Sequence, residues 1–107
     1  MDQGLSNVST SFHAFLTQAP GHSKAWMQAV KGLDDACSLD KKTQELAYIA
    51  VLAALRLESG IPFHVKAARE MGVSRQEIVS AILVGLPAAG NAVTGVLPVA
   101  LAAYDSQ

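Results

Sequence analysis

The sequence predicts an all-helical fold, and three observations support this. Apolar residues recur at the spacing of amphipathic helices along the chain. No segment alternates polar and apolar residues over the length of a strand. Glycine and proline fall where helices would begin or end, and Ser74-Arg75-Gln76-Glu77 forms a capping box, whose serine and glutamate satisfy free N–H groups. We therefore expect about six helices in one domain covering residues 1–107.

The first third of the chain predicts two helices. The first covers residues 6–19, and Pro20-Gly21 ends it. Its apolar face comprises Val8, Phe12, Phe15, Leu16 and Ala19. A second, short helix follows Ser23, and we expect three of its apolar side chains to point inward, namely Trp26, Val30 and Leu33.

A long helix forms the apolar centre of the predicted fold. Asp40 ends a polar loop and is a favourable N-cap for a helix that continues to about Leu57. One face of this helix carries Glu45, Tyr48, Ile49, Leu52, Leu55 and Arg56. The opposite face is rich in small residues and carries Leu46, Ala47, Ala50, Ala53, Ala54 and Leu57. Another helix could approach that face closely.

The next segment places a histidine at the start of a helix. Glu58-Ser59-Gly60-Ile61 forms a break, and Pro62 suits a first helical turn because its missing N–H would be unpaired there. This helix ends at Gly72. Its inward face should comprise Ile61, His64, Ala68 and Met71. We therefore expect His64 to point into the fold.

The C-terminal third predicts two further helices. The capping box opens the first, which continues to about Leu86. After a connection over residues 86–91, the last helix reaches about Tyr104, and Pro98 either kinks or divides it.

A stretch of 27 residues, 78–104, contains no charged side chain. Its length alone could span a bilayer, but two prolines, an asparagine and three glycines divide it into short pieces. We expect no membrane span. The apolar surplus favours burial in a subunit interface, and we expect a homo-oligomer.

Composition excludes other classes of protein. The net charge of -1 and the scattered basic residues leave no basic stripe for nucleic acid. The single cysteine, Cys37, excludes an internal disulfide and metal sites built on thiolate pairs. We expect no metal or cofactor. The start of the sequence shows no secretory signal, so a cytoplasmic location is expected.

Two motifs in sequence order resemble a known family. They are L39-D-K-K-T-Q-E-L46, before the long apolar helix, and H64-V-K-A-A-R-E-M-G-V-S-R-Q-E-I78, after the break. Together they resemble the carboxymuconolactone decarboxylase family, which includes an AhpD-like peroxidase-reductase branch. The resemblance covers residues 25–100, and we expect residues 1–5 and 105–107 to be flexible ends. It implies a compact AhpD-like helical bundle that assembles into trimers or hexamers.

The resemblance also implies a site, in which two positions depart from the AhpD-like pattern. The family's glutamate matches Glu45, and its helix histidine matches His64 nineteen residues later. Its two redox cysteines match Leu57 and Gly60. Thiol peroxidase turnover needs an attacking thiolate and a resolving thiol, and these residues supply neither.

The remaining residues favour acid–base chemistry that needs no cysteine. The catalytic residues would be His64 and Glu45, acting on a small organic acid or lactone as a decarboxylase-like lyase would. Glu58, Tyr48, Gly60 and Leu57 form the candidate pocket. The family's decarboxylases carry a glutamate four residues before the histidine, where this chain has Gly60.

Several alternatives stay open. His64 could be a hydrogen-bonded core residue, and Lys41 with the helix dipole could account for Glu45. Arg56 could bind a substrate carboxylate or form an intersubunit ion pair. The protein could be a non-catalytic oligomer that binds a metabolite or a partner. Thiol peroxidase activity through Cys37 is the least favoured alternative.

Overall fold

The structure is a computed structural model that describes residues 9–106. The chain divides into two compact units, one ending at Leu39 and the other beginning at Asp40. Every regular element within residues 9–106 is helical, which confirms the predicted all-helical class.

The first unit contains two helices, α1 (Thr10–Gln18) and α2 (Pro20–Ala36). Ser9 caps α1, because its side-chain oxygen accepts a hydrogen bond from the backbone N–H of Phe12 at 3.0 Å. Residues 6–8 of the predicted first helix lie outside the described residues. The predicted short second helix is longer than expected and begins at Pro20 rather than after Ser23. Proline is compatible with a first helical turn, so Pro20 ends α1 and also begins α2.

The prediction that the apolar face of α2 points inward is wrong for the isolated chain. The side chains of Trp26, Val30 and Leu33 are 55%, 38% and 71% exposed. In the first unit the only neighbouring described helix is α1, and its 9 residues are too short to cover the 17 residues of α2. The periodicity identified an apolar face correctly but did not show what would cover it.

The second unit contains the remaining helices in chain order. They are α3 (Lys41–Leu55), α4 (Ile61–Glu70), α5 (Arg75–Leu83), the single turn α6 (Leu86–Ala89) and α7 (Leu97–Asp105). Short 3₁₀ turns at Glu58–Gly60 and Asn91–Val96 precede α4 and α7. Pro98 lies in the first turn of α7, so it divides the predicted last helix rather than kinking it.

The hydrophobic core lies in the second unit. There α4 packs against α3 and α7, and α5 packs against α3 and α7. The core side chains are Ile49, Leu52, Ala53, Ile61, Val65, Ala68, Val73, Ile78, Ile82, Val93, Val96, Ala100 and Ala103. Met71, expected on the inward face of α4, is instead 42% exposed, because α4 ends at Glu70 and the chain turns away.

Local hydrogen bonds fix the ends of these helices. The capping box is present, with Ser74 Oγ accepting from the Glu77 N–H at 3.1 Å and the Ser74 N–H donating to Glu77 Oε1 at 2.8 Å. The bond from the Ser74 N–H, followed in effect by the one from the Lys42 side chain, holds the pKa of Glu77 below its usual value. Asp40 caps α3 by accepting from the Thr43 N–H at 3.0 Å, and this bond lowers the pKa of Asp40.

The end of α7 is tied to the α4–α5 region by side chains. Arg69 donates to the backbone oxygens of Tyr104, at 2.6 Å, and Ser106. The Tyr104 hydroxyl donates to the Val73 oxygen at 2.8 Å. Arg75 donates one hydrogen bond to each carboxylate oxygen of Asp105, both at 3.0 Å. A cation near the last carbonyls also interacts favourably with the helix dipole, so these contacts stabilise the C-terminal end of α7.

The long uncharged stretch is divided among several short elements. It extends from α5 through α6 and the second 3₁₀ turn into α7. Of the helices formed by residues 9–106, none has both the length and the apolar composition needed to cross a membrane.

Candidate functional site

Glu45 and His64 form the centre of the candidate site. Glu45 lies in the second turn of α3 and His64 in the first turn of α4. Nδ1 of His64 lies 2.5 Å from Oε1 of Glu45. The two side chains are 16% exposed for Glu45 and 26% for His64, so the pair is partly shielded and still open to small molecules.

The end of α3 explains why the two helices meet at this point. Arg56 adopts a left-handed conformation with φ 57°, and the N–H of Leu57 donates to the Leu52 oxygen at 2.9 Å. This pattern ends a helix and turns the chain back. The 3₁₀ turn Glu58–Gly60 and Pro62 then start α4 alongside α3. Two helices joined by a short connection pack against one another, which brings Glu45 and His64 together.

Two aromatic rings contact the imidazole of His64. The Tyr48 ring centre is 4.5 Å from the imidazole centre, with the planes tilted by 48°. The Phe63 ring approaches it nearly edge-on at 5.2 Å and 77°. Tyr48 and Phe63 are themselves 48% and 42% exposed. The imidazole therefore has a carboxylate at one ring nitrogen and aromatic rings beside it.

The carboxylate of Glu45 determines which nitrogen of His64 is available. An ionised carboxylate only accepts hydrogen bonds, so Nδ1–H donates and Nε2 carries the lone pair of the neutral ring. Among the described residues Nε2 has no hydrogen-bond partner. No buried side-chain nitrogen or oxygen in this part of the chain lacks a partner, so Nε2 is not sealed in the interior. It can accept a proton from a bound molecule or, once protonated, donate one.

The other predicted site residues are arranged differently. Tyr48 lies against His64, but Leu57 and Glu58 are exposed in the connection between the helices. In residues 9–106 the carboxylate of Glu58 has no hydrogen-bond partner. Gly60 is partly buried, and a Cβ added there would lie 3.5 Å from both terminal carbons of Leu52. Arg56 is exposed.

Phe63 contacts the candidate site but was not among the predicted site residues. Its ring packs against the residue that follows it in the chain. Adjacent residues on a helix project about 100° apart, so helical spacing alone gave no reason to group them. The only available signal was an aromatic residue directly before the candidate histidine.

The single cysteine of the chain does not belong to the helices that carry this pair. Cys37, the free thiol, lies at the C-terminal cap of α2 in the first unit. Its N–H donates to the Asp34 oxygen at 3.2 Å. In the described part of the chain, no three His, Cys, Asp or Glu side chains group closely enough to hold a metal ion.

Comparison with known families identifies the chain. The sequence model of the carboxymuconolactone decarboxylase family matches residues 20–102. The chain belongs to the carboxymuconolactone decarboxylase family. The match extends from the start of α2 into α7 and includes both residues of the Glu45–His64 pair. Neither the curated proteins nor the solved structures gave a match to this family member.

Proposed function

We propose that this member of the family is an acid–base enzyme that acts on a small organic acid or lactone without using cysteine. The observation that carries the proposal is the 2.5 Å contact between Nδ1 of His64 and Oε1 of Glu45, with Nε2 left unpartnered by the described residues. A histidine oriented by a carboxylate is suited to general acid–base catalysis near neutral pH, and such catalysis contributes typically about 10²–10⁴-fold in rate.

The roles of the two residues follow from their bond. His64 exchanges a proton with substrate through Nε2, while Glu45 holds the ring in one tautomer through its bond to Nδ1. In a decarboxylation, the bond between carbon and the carboxylate breaks, and carbon dioxide leaves. The electron pair stays on the carbon as an enolate-like intermediate. The imidazolium then gives its Nε2 proton to that carbon, and the neutral His64 takes up a proton from solvent before the next turnover.

The connection between α3 and α4 supports a reaction without thiols. Leucine and glycine occupy positions 57 and 60, where the resemblance to AhpD-like relatives places the redox cysteines. Gly60 also occupies the position of the second acidic residue expected of a decarboxylase proper. Without that acidic residue, the remaining side chains favour a class of substrate, small carboxylates and lactones, rather than one compound.

The second candidate is a non-catalytic binding protein in which the same residues hold a metabolite. The half-exposed rings of Tyr48 and Phe63 favour it, since aromatic surface beside a polar group can hold an apolar carbon skeleton. Screening small carboxylates and lactones for an increase in melting temperature detects binding in either case. Binding without release of any product would favour the second candidate.

We also propose that the protein forms a homo-oligomer and is located in the cytoplasm. Exposed apolar side chains on α2 and α3 support a homotrimer or homohexamer, because such surface is normally covered in an assembly. A cytoplasmic location is supported by the single cysteine, which requires no oxidising compartment.

The test of the proposed activity is carbon dioxide release from a panel of carboxylated lactones and small carboxylic acids. We expect turnover by the wild-type protein that His64→Gln lowers by about 10²–10⁴-fold and Cys37→Ser leaves unchanged. Full activity of His64→Gln would reject the proposal, and loss of activity in Cys37→Ser would favour thiol chemistry instead.

A further inference from the structure

Tyr48 is half exposed, yet its ring packs against the imidazole of His64. It lies on α3 three residues after Glu45, and its ring centre is 4.5 Å from the centre of the His64 imidazole. Residues three apart on a helix are neighbours on one face. The same face of α3 therefore supplies both the carboxylate that binds Nδ1 and the ring that packs on the imidazole.

The hydrogen bond to Glu45 does not by itself fix the imidazole. The bond holds only Nδ1, while the χ2 torsion, which rotates the imidazole about the Cβ–Cγ bond, has broad energy minima. A ring packed against the imidazole restricts that rotation, because it would have to move aside. Phe63 adds an edge-on contact at 5.2 Å. One hydrogen bond and two ring contacts together define both the position and the plane of the imidazole.

We propose that Tyr48 is a positioning residue for His64 and that its aromatic ring, rather than its hydroxyl, performs this role. The inference deepens the proposed function and rests on it for the importance of His64. The ring of Tyr48 keeps the imidazole aligned with Glu45, so that Nδ1 stays protonated and Nε2 stays directed toward a bound molecule. Tyr48 acts through His64 and makes no contact with the reacting atoms.

The alternative is that Tyr48 only covers apolar surface. In that case His64 would keep its tautomer and its bond to Glu45 after the ring is removed. The two cases differ in a property of His64 that can be measured without substrate. This property is the protonation pattern of the imidazole and the rate at which its Nδ1 proton exchanges with water.

The experiment is nitrogen-15 NMR of the imidazoles in the full chain, at a pH where His64 is neutral. The chain has three histidines, and His64→Gln assigns the signal of interest. The variants are Tyr48→Leu, which removes the ring, and Tyr48→Phe, which removes only the hydroxyl. Leu55→Ala is the matched control, since Leu55 is also on α3, is apolar and is 62% exposed. Phe63→Leu tests the second ring contact.

We expect a single Nδ1–H tautomer for His64 in the wild type, in Tyr48→Phe and in Leu55→Ala. In Tyr48→Leu we expect mixed tautomers and exchange of the Nδ1 proton about three- to tenfold faster, the size that the loss of one aromatic contact implies. Phe63→Leu should change the exchange rate in the same direction. Backbone amide spectra establish that each variant is folded.

Two results would overturn the inference. An unchanged tautomer and exchange rate in Tyr48→Leu would show that the ring does not position His64. Loss of the tautomer in Tyr48→Phe would assign the role to the hydroxyl. Neither result depends on turnover, so failure of the proposed function, seen as no product from any acid or lactone, is distinguishable from failure of this inference.

Discussion

Oε1 of Glu45 lies 2.5 Å from Nδ1 of His64, and this contact joins the second turn of α3 to the first turn of α4. The two helices also pack against one another through buried residues of the core. The pair is therefore held by rigid elements rather than by loops. Such support is what a group that must exchange protons in a fixed geometry requires.

The first prediction concerns Arg56, which ends α3 in a left-handed conformation at φ 57°. A side chain with a Cβ is strained there, whereas glycine is not. We expect Arg56→Gly to raise the free energy of unfolding by about 0.5–1 kcal/mol, measured by urea denaturation. Arg56→Ala keeps the strain and removes an exposed side chain beyond Cβ, so it should change stability by less than about 0.5 kcal/mol. Equal stabilities of the glycine and alanine variants would show that backbone strain is absent.

The second prediction concerns the pH dependence that arises from Asp105. The hydrogen bond from Arg75 holds the pKa of Asp105 in the folded chain below its ordinary value of 3.8. The ionised carboxylate therefore stabilises the fold above that pH, and this stabilisation is lost as the pH falls through the lower, folded-state pKa. We expect Asp105→Asn to have a lower melting temperature than the wild type at neutral pH, with the difference shrinking in acid.

Arg75→Gln provides the control for that experiment. It removes the partner of Asp105, so Asp105→Asn should have much less effect in its background than in the wild type. A difference in melting temperature that stays constant from neutral pH to acid would contradict the assignment.

The third prediction concerns the two positions that lack thiols. Gly60 has an ordinary right-handed conformation, and a Cβ there would make normal contact with Leu52. We expect the Leu57→Cys/Gly60→Cys double variant to fold and to consume hydrogen peroxide, with dithiothreitol reducing the resulting disulfide. The matched Leu57→Ser/Gly60→Ala variant should not consume it. Equal rates in the two variants would show that this connection does not support thiol chemistry.

The fourth prediction concerns assembly. Leu33 on α2 is 71% exposed and Trp26 is 55% exposed. We expect light scattering to report the mass of a trimer or hexamer at micromolar concentration. Leu33→Glu should reduce that mass, while Gln28→Glu, which adds the same charge to the same helix, should reduce it less. A stable wild-type monomer would contradict this prediction.

Local signals in the sequence predicted much of the fold. Asp40 caps α3, the capping box opens α5 and Pro62 begins α4, because each depends on residues within a few positions. The spacing of Glu45 and Tyr48 on one helix could also be read directly from the helical period.

Contacts between distant parts of the chain could not be predicted in this way. Arg75 and Asp105 are 30 positions apart, and nothing in either neighbourhood indicates the other. The Glu45–His64 pairing was expected only from the family resemblance, since a separation of 19 positions does not determine a distance in space. Likewise, an apolar helical face predicts burial but not the surface that buries it. This is why the prediction that Leu33 points inward was wrong.

The most direct test of the Glu45–His64 pair as an acid–base centre is carbon dioxide release from carboxylated lactones, compared among four full-length proteins. They are the wild type, His64→Gln, Glu45→Gln and Cys37→Ser. We expect His64→Gln to lower kcat by about 10²–10⁴-fold, Glu45→Gln to lower it less, and Cys37→Ser to match the wild type. Turnover by His64→Gln at the wild-type rate would show that the Glu45–His64 pair is not the acid–base centre.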